Sequence, residues 1–308
     1  MSVSSVKVRG HGIGSVIKKI MKEEIDDLRS ANFWRAVFAE FLGCFLLVLT
    51  GIGAGLHEEG TPHPGSVHVI LQAGFYIAVV ISILGHVSGA HVNPALSIGF
   101  AVTRKISVAR FLFYVIGQCS GAISGAALLK ALIPESMNGN FGLLSPAKNV
   151  SPEQALFVEM IVTFVLVFTV FAMIDEQRTD IAGSKPLIIG LVVCTNIFFS
   201  GHISGGCMNP IRNLGPAVIV GRMELQWIYW VGPMVGGACG ALVYNCVFSI
   251  SAGNRGLSGC ISSRKYDAVN TDDTKKEIED ITGSIEFAED LPGKLPIPSS
   301  SVEKLEQA

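Results

Sequence analysis

Ser-Gly-Ala-His-Val-Asn-Pro-Ala at residues 88–95 and Ser-Gly-Gly-Cys-Met-Asn-Pro-Ile at 204–211 repeat one another. Each follows an apolar stretch, and each carries an Asn-Pro that can open a short helix. Proline fits the first helical turn because its missing N–H breaks no hydrogen bond there. Two half-helices over 93–103 and 209–219, meeting end to end inside a membrane, would aim both positive N-terminal ends and both asparagines at one point. Such a constriction passes a neutral hydrogen-bonding molecule and repels a cation.

Outward from these segments, stretches at 34–57, 66–85, 107–132, 155–174, 186–200 and 225–250 are dominated by Val, Ile, Leu, Phe, Ala and Gly. Crossing the hydrocarbon core takes roughly 20 apolar residues in a helix. Four stretches meet that length, while 66–85 and 186–200 need a small extension, so six spans are expected. A soluble α/β protein with buried helices is the alternative, and a mean hydropathy of +0.49 weighs against it. The first stretch is too long for a signal-peptide core and lies behind a charged segment, which makes it a retained span. The net charge is −2 and no basic stripe interleaves with aromatics, so no nucleic-acid partner is expected. The seven cysteines lie mostly within apolar stretches without metal-ligand spacing and read as packing residues. With no nucleophile–base constellation, phosphate loop or metal cluster, neither enzyme chemistry, a metal nor a cofactor is expected.

Three segments follow. Residues 1–33 form an N-terminal arm, with Ile17, Ile20, Met21, Ile25 and Leu28 on one helical face: a helix on the membrane surface, or a solvated arm. Residues 34–250 form the membrane domain, and 251–308 a largely disordered tail, rich in acids, lysines, serines and prolines, with Ser262, Ser263, Thr271 and Thr274 as modifiable positions. Arg29, Arg104, Lys105, Arg110, Arg178 and Lys185 gather on one side against Lys148 and Arg222 on the other, which puts both termini in the cytoplasm. Asn149-Val150-Ser151 is then an outside glycosylation sequon, although Pro152 follows it directly.

The match between halves extends beyond the boxes. Glu40-Phe-Leu-Gly-Cys-Phe-Leu-Leu-Val-Leu-Thr resembles Glu159-Met-Ile-Val-Thr-Phe-Val-Leu-Val-Phe-Thr, and Tyr114-Val-Ile-Gly117-Gln resembles Tyr229-Trp-Val-Gly232-Pro. Repeat one covers 34–132 and repeat two 153–250. With three spans each, the second copy enters from the opposite face, giving an inverted repeat with discontinuous helices at the midplane. Gly117, Gly121 and Gly125, like Gly232, Gly236 and Gly240, recur every fourth residue and permit close helix approach.

These residues resemble the aquaporin (major intrinsic protein) family over about 34–250: the paired boxes, Gly85-His86-Val-Ser88-Gly-Ala-His91 before the first, and Met208-Asn209-Pro210 with Arg212 and Gly215-Pro216-Ala217 in the second. The resemblance implies an all-α polytopic hourglass of six transmembrane helices plus two re-entrant half-helices, four monomers to an assembly in the lipid bilayer, each with its own pore. The boxes Asn93-Pro94-Ala95 and Asn209-Pro210-Ile211 would form the waist, with carbonyl ladders along 86–92 and 202–208. Glu40 and Glu159 would accept hydrogen bonds from the re-entrant segments, and His86 and His91 would hold the loops. Cys207, bordering the pore segment, is a candidate for mercurial block. Ile211 replaces the usual alanine, either pressing on the facing box or packing without consequence.

Selectivity would lie at a ring of Arg212, Ala73, Ile197 and Gly206. Strict water channels usually carry an aromatic or histidine and a histidine where Ala73 and Ile197 stand, so a wider, more apolar ring is expected. Ile197 with Gly205-Gly206-Cys207-Met208 looks like the ammonia-permeable animal and plant vacuolar branches, while Ala217 with Tyr229-Trp230 looks like the water type. The expected activity is passive passage of water and small neutral solutes (glycerol, urea, hydrogen peroxide or ammonia) by a homotetramer in the plasma membrane, an internal membrane remaining the other location. Two other classes stay open: a secondary transporter using Glu40 and Glu159, and a structural or adhesive membrane protein.

Overall fold

The computed structural model describes residues 21–250 apart from 23, 59, 62–64 and 138. The expected tail over 251–308 and the first 20 residues, with Ile17 and Ile20, lie outside the described residues. All regular structure among the described residues is helical.

Repeat one contributes α1 (Ala31–Gly53), α2 (Ser66–Ser88), the half-helix α3 (Pro94–Val102) and α4 (Val108–Leu132). Repeat two contributes α5 (Pro152–Met173), α6 (Lys185–Ser200), the half-helix α7 (Pro210–Val220) and α8 (Gln226–Val243), which passes into a π-turn over Tyr244–Phe248. Sequence-encoded caps set several starts. Ser30, Ser107, Ser151 and Ser184 each accept a backbone N–H at the head of α1, α4, α5 and α6, and Ser151 with Gln154 closes a full capping box.

Among the described residues, five helices, α1, α2, α4, α5 and α8 with its π-turn, are long and apolar enough to cross a membrane. The sixth, α6, has 16 residues. It spans about 24 Å as a helix, and after Ser200 the chain turns through exposed Gly201 and His202 to buried Ser204 and the extended segment from Gly205. The marginal length of 186–200 thus reflects an early exit into the re-entrant segment.

The packing scheme is the same in both halves. Helix α1 lies along α4 as α5 lies along α8, and α2 crosses α6 between them. Each half-helix packs on the third long helix of the other repeat, α3 on α8 and α7 on α4. The repeats interlock and neither forms a separate body.

Glycine makes these approaches possible. A Cβ on Gly121 would sit 2.2 Å from the Phe41 carbonyl oxygen, and one on Gly236 2.1 Å from that of Met160. At the α2–α6 crossing, Gly74 and Gly190 face each other's carbonyls at 2.4 and 2.3 Å by the same measure. Gly237 in turn lets α8 approach the Ala95 carbonyl of the half-helix, at 2.2 Å from an added Cβ.

Of the N-terminal arm, residues 24–29 are helical and tied to α4. The Glu24 carboxylate accepts the Val108 and Ala109 N–H groups at 2.9 and 2.7 Å. Asp27 receives the Arg110 guanidinium and the Ser107 hydroxyl. Met21 and Ile25 stay exposed. Between α5 and α6, Arg178 holds both oxygens of Asp180, at 3.0 and 2.7 Å, and these bonds keep that carboxyl below its usual range.

Candidate functional site

Both Asn-Pro segments are helix starts, as the sequence indicates. Pro94 and Pro210 stand in the first turns of α3 and α7, and the asparagine before each is the N-cap. Asn93 Oδ1 accepts the Ala95 N–H at 2.8 Å, and Asn209 Oδ1 accepts that of Ile211 at 3.3 Å. The amide nitrogens then cross over. Asn93 Nδ2 donates to the Met208 carbonyl at 2.9 Å, and Asn209 Nδ2 donates to the Val92 carbonyl at 2.8 Å. Each box is thereby fastened to the chain entering the other, with the two N-termini facing.

The approach segments are strained and are held by carboxylates. Ala90, Val92 and Met208 have positive φ of 46°, 41° and 52°, a conformation costly for residues with a Cβ. Fully buried Glu40 accepts the Ser88 hydroxyl and the His91 N–H on Oε1, at 2.7 and 2.8 Å, and the Val92 N–H on Oε2 at 2.6 Å. Glu159, equally buried, does the same for repeat two: the Ser204 hydroxyl at 2.6 Å, and the N–H groups of Cys207 and Met208 at 2.9 and 2.8 Å. A buried carboxylate is tolerable only when its lone pairs are met by donors. Here the re-entrant backbone supplies them, and the carboxylate in turn fixes that backbone.

Two supports escaped the sequence reading. The hydroxyls of Tyr114 and Tyr229 donate to the Ser88 and Ser204 carbonyls at 2.9 and 2.7 Å. Their signal was available, since the two tyrosines align between the halves. Gln118 has no such signal, because Pro233 takes its place in the other repeat. Its Nε2 donates to Glu40 Oε2 at 2.7 Å and to Ser97 Oγ at 3.0 Å, so Glu40 carries one donor more than Glu159.

The expected loop-holding histidines part company. His91 is buried, with its ring between those of Phe100 and Tyr114 and Nδ1 3.1 Å from the Ser97 hydroxyl. His86 instead lies exposed in the last turn of α2, away from the Glu40 cluster. The ladder segments are also shorter than 86–92 and 202–208: α2 stays helical through Ser88, where Gly89 ends it in the left-handed region, and 201–204 form turns before the extended chain begins at Gly205. Cys207, a candidate for mercurial attack, is buried in an apolar cluster with Ala155, Ile228 and Tyr229, and its thiol approaches the Asn209 carbonyl at 3.0 Å. That position shields the thiol. Ile211 is fully buried in a cluster with Leu47, Val48, Ala122 and Val92, the last from the facing segment.

Around the expected ring, Gly206 lies against α6: a Cβ there would stand 3.2 Å from Ile197 Cα and 2.8 Å from the Ser200 hydroxyl. Ala73 and Ile197 are half-buried and pack against the same apolar cluster. Arg212, half-buried, donates through Nη1 to the Gly142 carbonyl in the α4–α5 connection. The next residue clamps that connection, Asn213 accepting the Leu144 N–H at 2.7 Å and donating to its carbonyl at 3.3 Å. Asn149 is exposed in the same connection. Among the described residues, no group of His, Cys, Asp and Glu could hold a metal ion.

Comparison with known proteins agrees with this geometry. Residues 27–244 match the family model described as "Major intrinsic protein". The chain is 43% identical to aquaporin-4 of Mus musculus over 219 residues, which covers 70% of this chain and 68% of that protein. It is 40% identical to the lens fiber major intrinsic protein of Lithobates pipiens over 240 residues, or 78% and 90% of the two chains. The X-ray structure of the aquaglyceroporin from Plasmodium falciparum superposes with a TM-score of 0.65 at 24% identity, covering 72% of this chain and all of that one. The chain belongs to the major intrinsic protein family, the aquaporins, and is an integral membrane channel rather than an enzyme.

Proposed function

We propose that the protein is a passive, gradient-driven pore for water and for small uncharged solutes such as glycerol, urea, hydrogen peroxide or ammonia, and that it excludes ions and protons. The crossed donation of Asn93 and Asn209 carries the reading. Each carboxamide has two N–H bonds; one goes to the opposite segment, which aims the other at a molecule in the waist. The facing N-termini of α3 and α7 add positive potential at that point and oppose cations. Non-helical backbone at this depth is acceptable because it lines a wet passage.

Arg212, Ala73, Ile197 and Gly206 form the proposed selectivity ring, with Arg212 as its main polar group and the Gly142 carbonyl holding it in place. The small Ala73 and apolar Ile197 favour solutes larger than water. Glu40, Glu159 and His91 serve as structural supports in this reading. The four donors on Glu40 leave it no room for a coupling ion, which disfavours the transporter alternative.

The channel unit covers 34–250 and works as a homotetramer in the plasma membrane. Exposed apolar side chains such as Phe38, Ile116, Leu132 and Phe157 face lipid or neighbouring subunits. Both termini lie in the cytoplasm and Asn149 outside, where it is open to glycosylation. Stopped-flow light scattering on proteoliposomes tests the function: water permeability should exceed that of empty vesicles, and equality would refute it. Ala73→Phe should lower glycerol uptake about tenfold more than water flux, and an unchanged ratio would remove Ala73 from the ring.

A further inference from the structure

Asn196 is a carboxamide in a helix, α6, made mostly of apolar residues, and it lies outside both Asn-Pro boxes. It shares the buried face of α6 with Ile189, Val193 and Ser200, whereas Leu191, Thr195 and Phe198 are exposed on the outer face. Only 6% of its surface is open. Nδ2 donates to the Val162 carbonyl of α5 at 2.8 Å and to the Met208 sulfur at 3.2 Å. Both amide N–H bonds are thereby used. Flipping the amide would set its oxygen against a carbonyl oxygen and a sulfur, so Oδ1 is held as an acceptor.

No protein donor reaches that acceptor. The Oε1 atoms of Gln118 and Gln226 are also without donors, but they are enclosed, while Asn196 Oδ1 keeps open surface. A staple between α5 and α6 needs only the N–H groups, which leaves the oxygen for another partner. Its position names the partner. Ile197, the next residue, belongs to the proposed ring, and Met208 precedes Asn209 of the proposed waist; both pack into one apolar cluster. Oδ1 therefore stands in the inner wall between the two constrictions, turned away from lipid.

The chemistry there favours a solute that brings hydrogens to donate. Arg212 and the Nδ2 groups of Asn93 and Asn209 are donors, and serve a solute's oxygen atoms. Its O–H and N–H groups have only backbone carbonyls to meet, and each one stripped of water and left unmet raises the barrier. Glycerol and urea carry more such groups than water does. We propose that Asn196 is a specificity-determining residue of the pore, its Oδ1 accepting an O–H from a polyol or an N–H from urea between ring and waist. The inference rests on the pore reading above.

Asn196→Ala and Asn196→Ser both remove the acceptor. The serine hydroxyl would turn back onto the Val192 carbonyl, as that of Ser200 does onto Asn196. Both variants are smaller than asparagine, so extra room alone would raise glycerol and urea flux. Loss of the acceptor should instead lower each about tenfold relative to water in proteoliposomes, the worth of about one hydrogen bond. Met208→Leu cuts the sulfur bond and leaves Asn196 on Val162; it should scale water, glycerol and urea by one common factor. A glycerol-to-water ratio at or above wild type in either assembled Asn196 variant would overturn the proposal. An equal fall of that ratio in Met208→Leu would also overturn it, reducing Asn196 to a support for the re-entrant segment. Wild-type vesicles that conduct water but neither glycerol nor urea would overturn it while the water pore stands. Vesicles no more permeable to water than empty ones would remove the pore, and this inference with it.

Discussion

Glu40 and Glu159 show how much can rest on a single side chain. Each gathers donors from a segment whose Ala90, Val92 or Met208 is held at positive φ, so the carboxylate offsets the strain it imposes. Glu40→Gln keeps the shape but turns one acceptor oxygen into a donor that faces N–H or O–H groups. We expect a loss of about 3–5 kcal/mol, the range for removing one partner of a buried charged cluster, seen as a marked drop in the thermal unfolding midpoint in detergent. Ala90→Gly should act in the opposite sense, since glycine accepts φ of 46° freely; a gain of about 0.5–1 kcal/mol is expected. If Glu40→Gln unfolded at the wild-type temperature, the carboxylate would not be the clamp described. The sequence revealed the two glutamates because they occur twice in matching surroundings. Gln118 escaped notice for the opposite reason, having no counterpart. The Gly142 carbonyl that receives Arg212 could not be read at all, because every residue owns a carbonyl and only the fold decides which one is aimed.

At the level of helices, the every-fourth-residue glycines were legible as packing positions, and their contacts give that role a measurable size. An alanine at Gly236 would bring Cβ within 2.1 Å of the Met160 carbonyl oxygen, and backbone cannot yield as a side-chain tip can. Gly236→Ala should therefore destabilise by more than the roughly 1–3 kcal/mol usual for overpacking, and fluorescence size-exclusion of heated samples would register it. Gly51 provides the control, because nothing lies within 4 Å of a Cβ placed there. Gly51→Ala in α1 should be neutral or stabilising by up to about 1 kcal/mol through helix propensity alone; equal damage from both variants would mean that close approach is not the cause. Helix boundaries were less legible than helix existence. Apolar composition sees α2 end near residue 85, but the helix runs through Ser88 because Gly89, in the left-handed region, is its cap. On the other side of the pseudo-two-fold, α6 ends at Ser200, so the two re-entrant paths differ in length where hydropathy shows no difference.

For the molecule as a whole, the order of crossings decides which features share an end. The arm bound to Arg110 stands at the start of α4, and the clasp in which Asp175 accepts the Tyr244 hydroxyl at 3.2 Å and the Ile250 N–H at 3.3 Å stands at the end of α5. Helix α4 runs from the arm's end to the far end, and α5 returns from there to the clasp. Arm and clasp therefore lie at one end, whereas Gly142, Asn149 and the Arg212 contact lie at the other. The sequence anticipated this division from its lysines and arginines, but the arm's attachment was hidden because Glu24 and Asp27 look like ordinary solvated positions on a polar helix face. Inserted in a cell membrane, the chain should expose an epitope placed after Asn149 to antibody on intact cells, and epitopes at either terminus only after permeabilisation. A terminal epitope readable on intact cells alongside the Asn149 one would require an even number of crossings between them. That would break the inverted relation between the halves and with it the meeting of the two half-helices. Alternating crossings thus tie the pore's waist to a property measurable at the cell surface: the boxes can face each other only if the chain crosses three times from the start of the first glutamate's helix to the start of the second's.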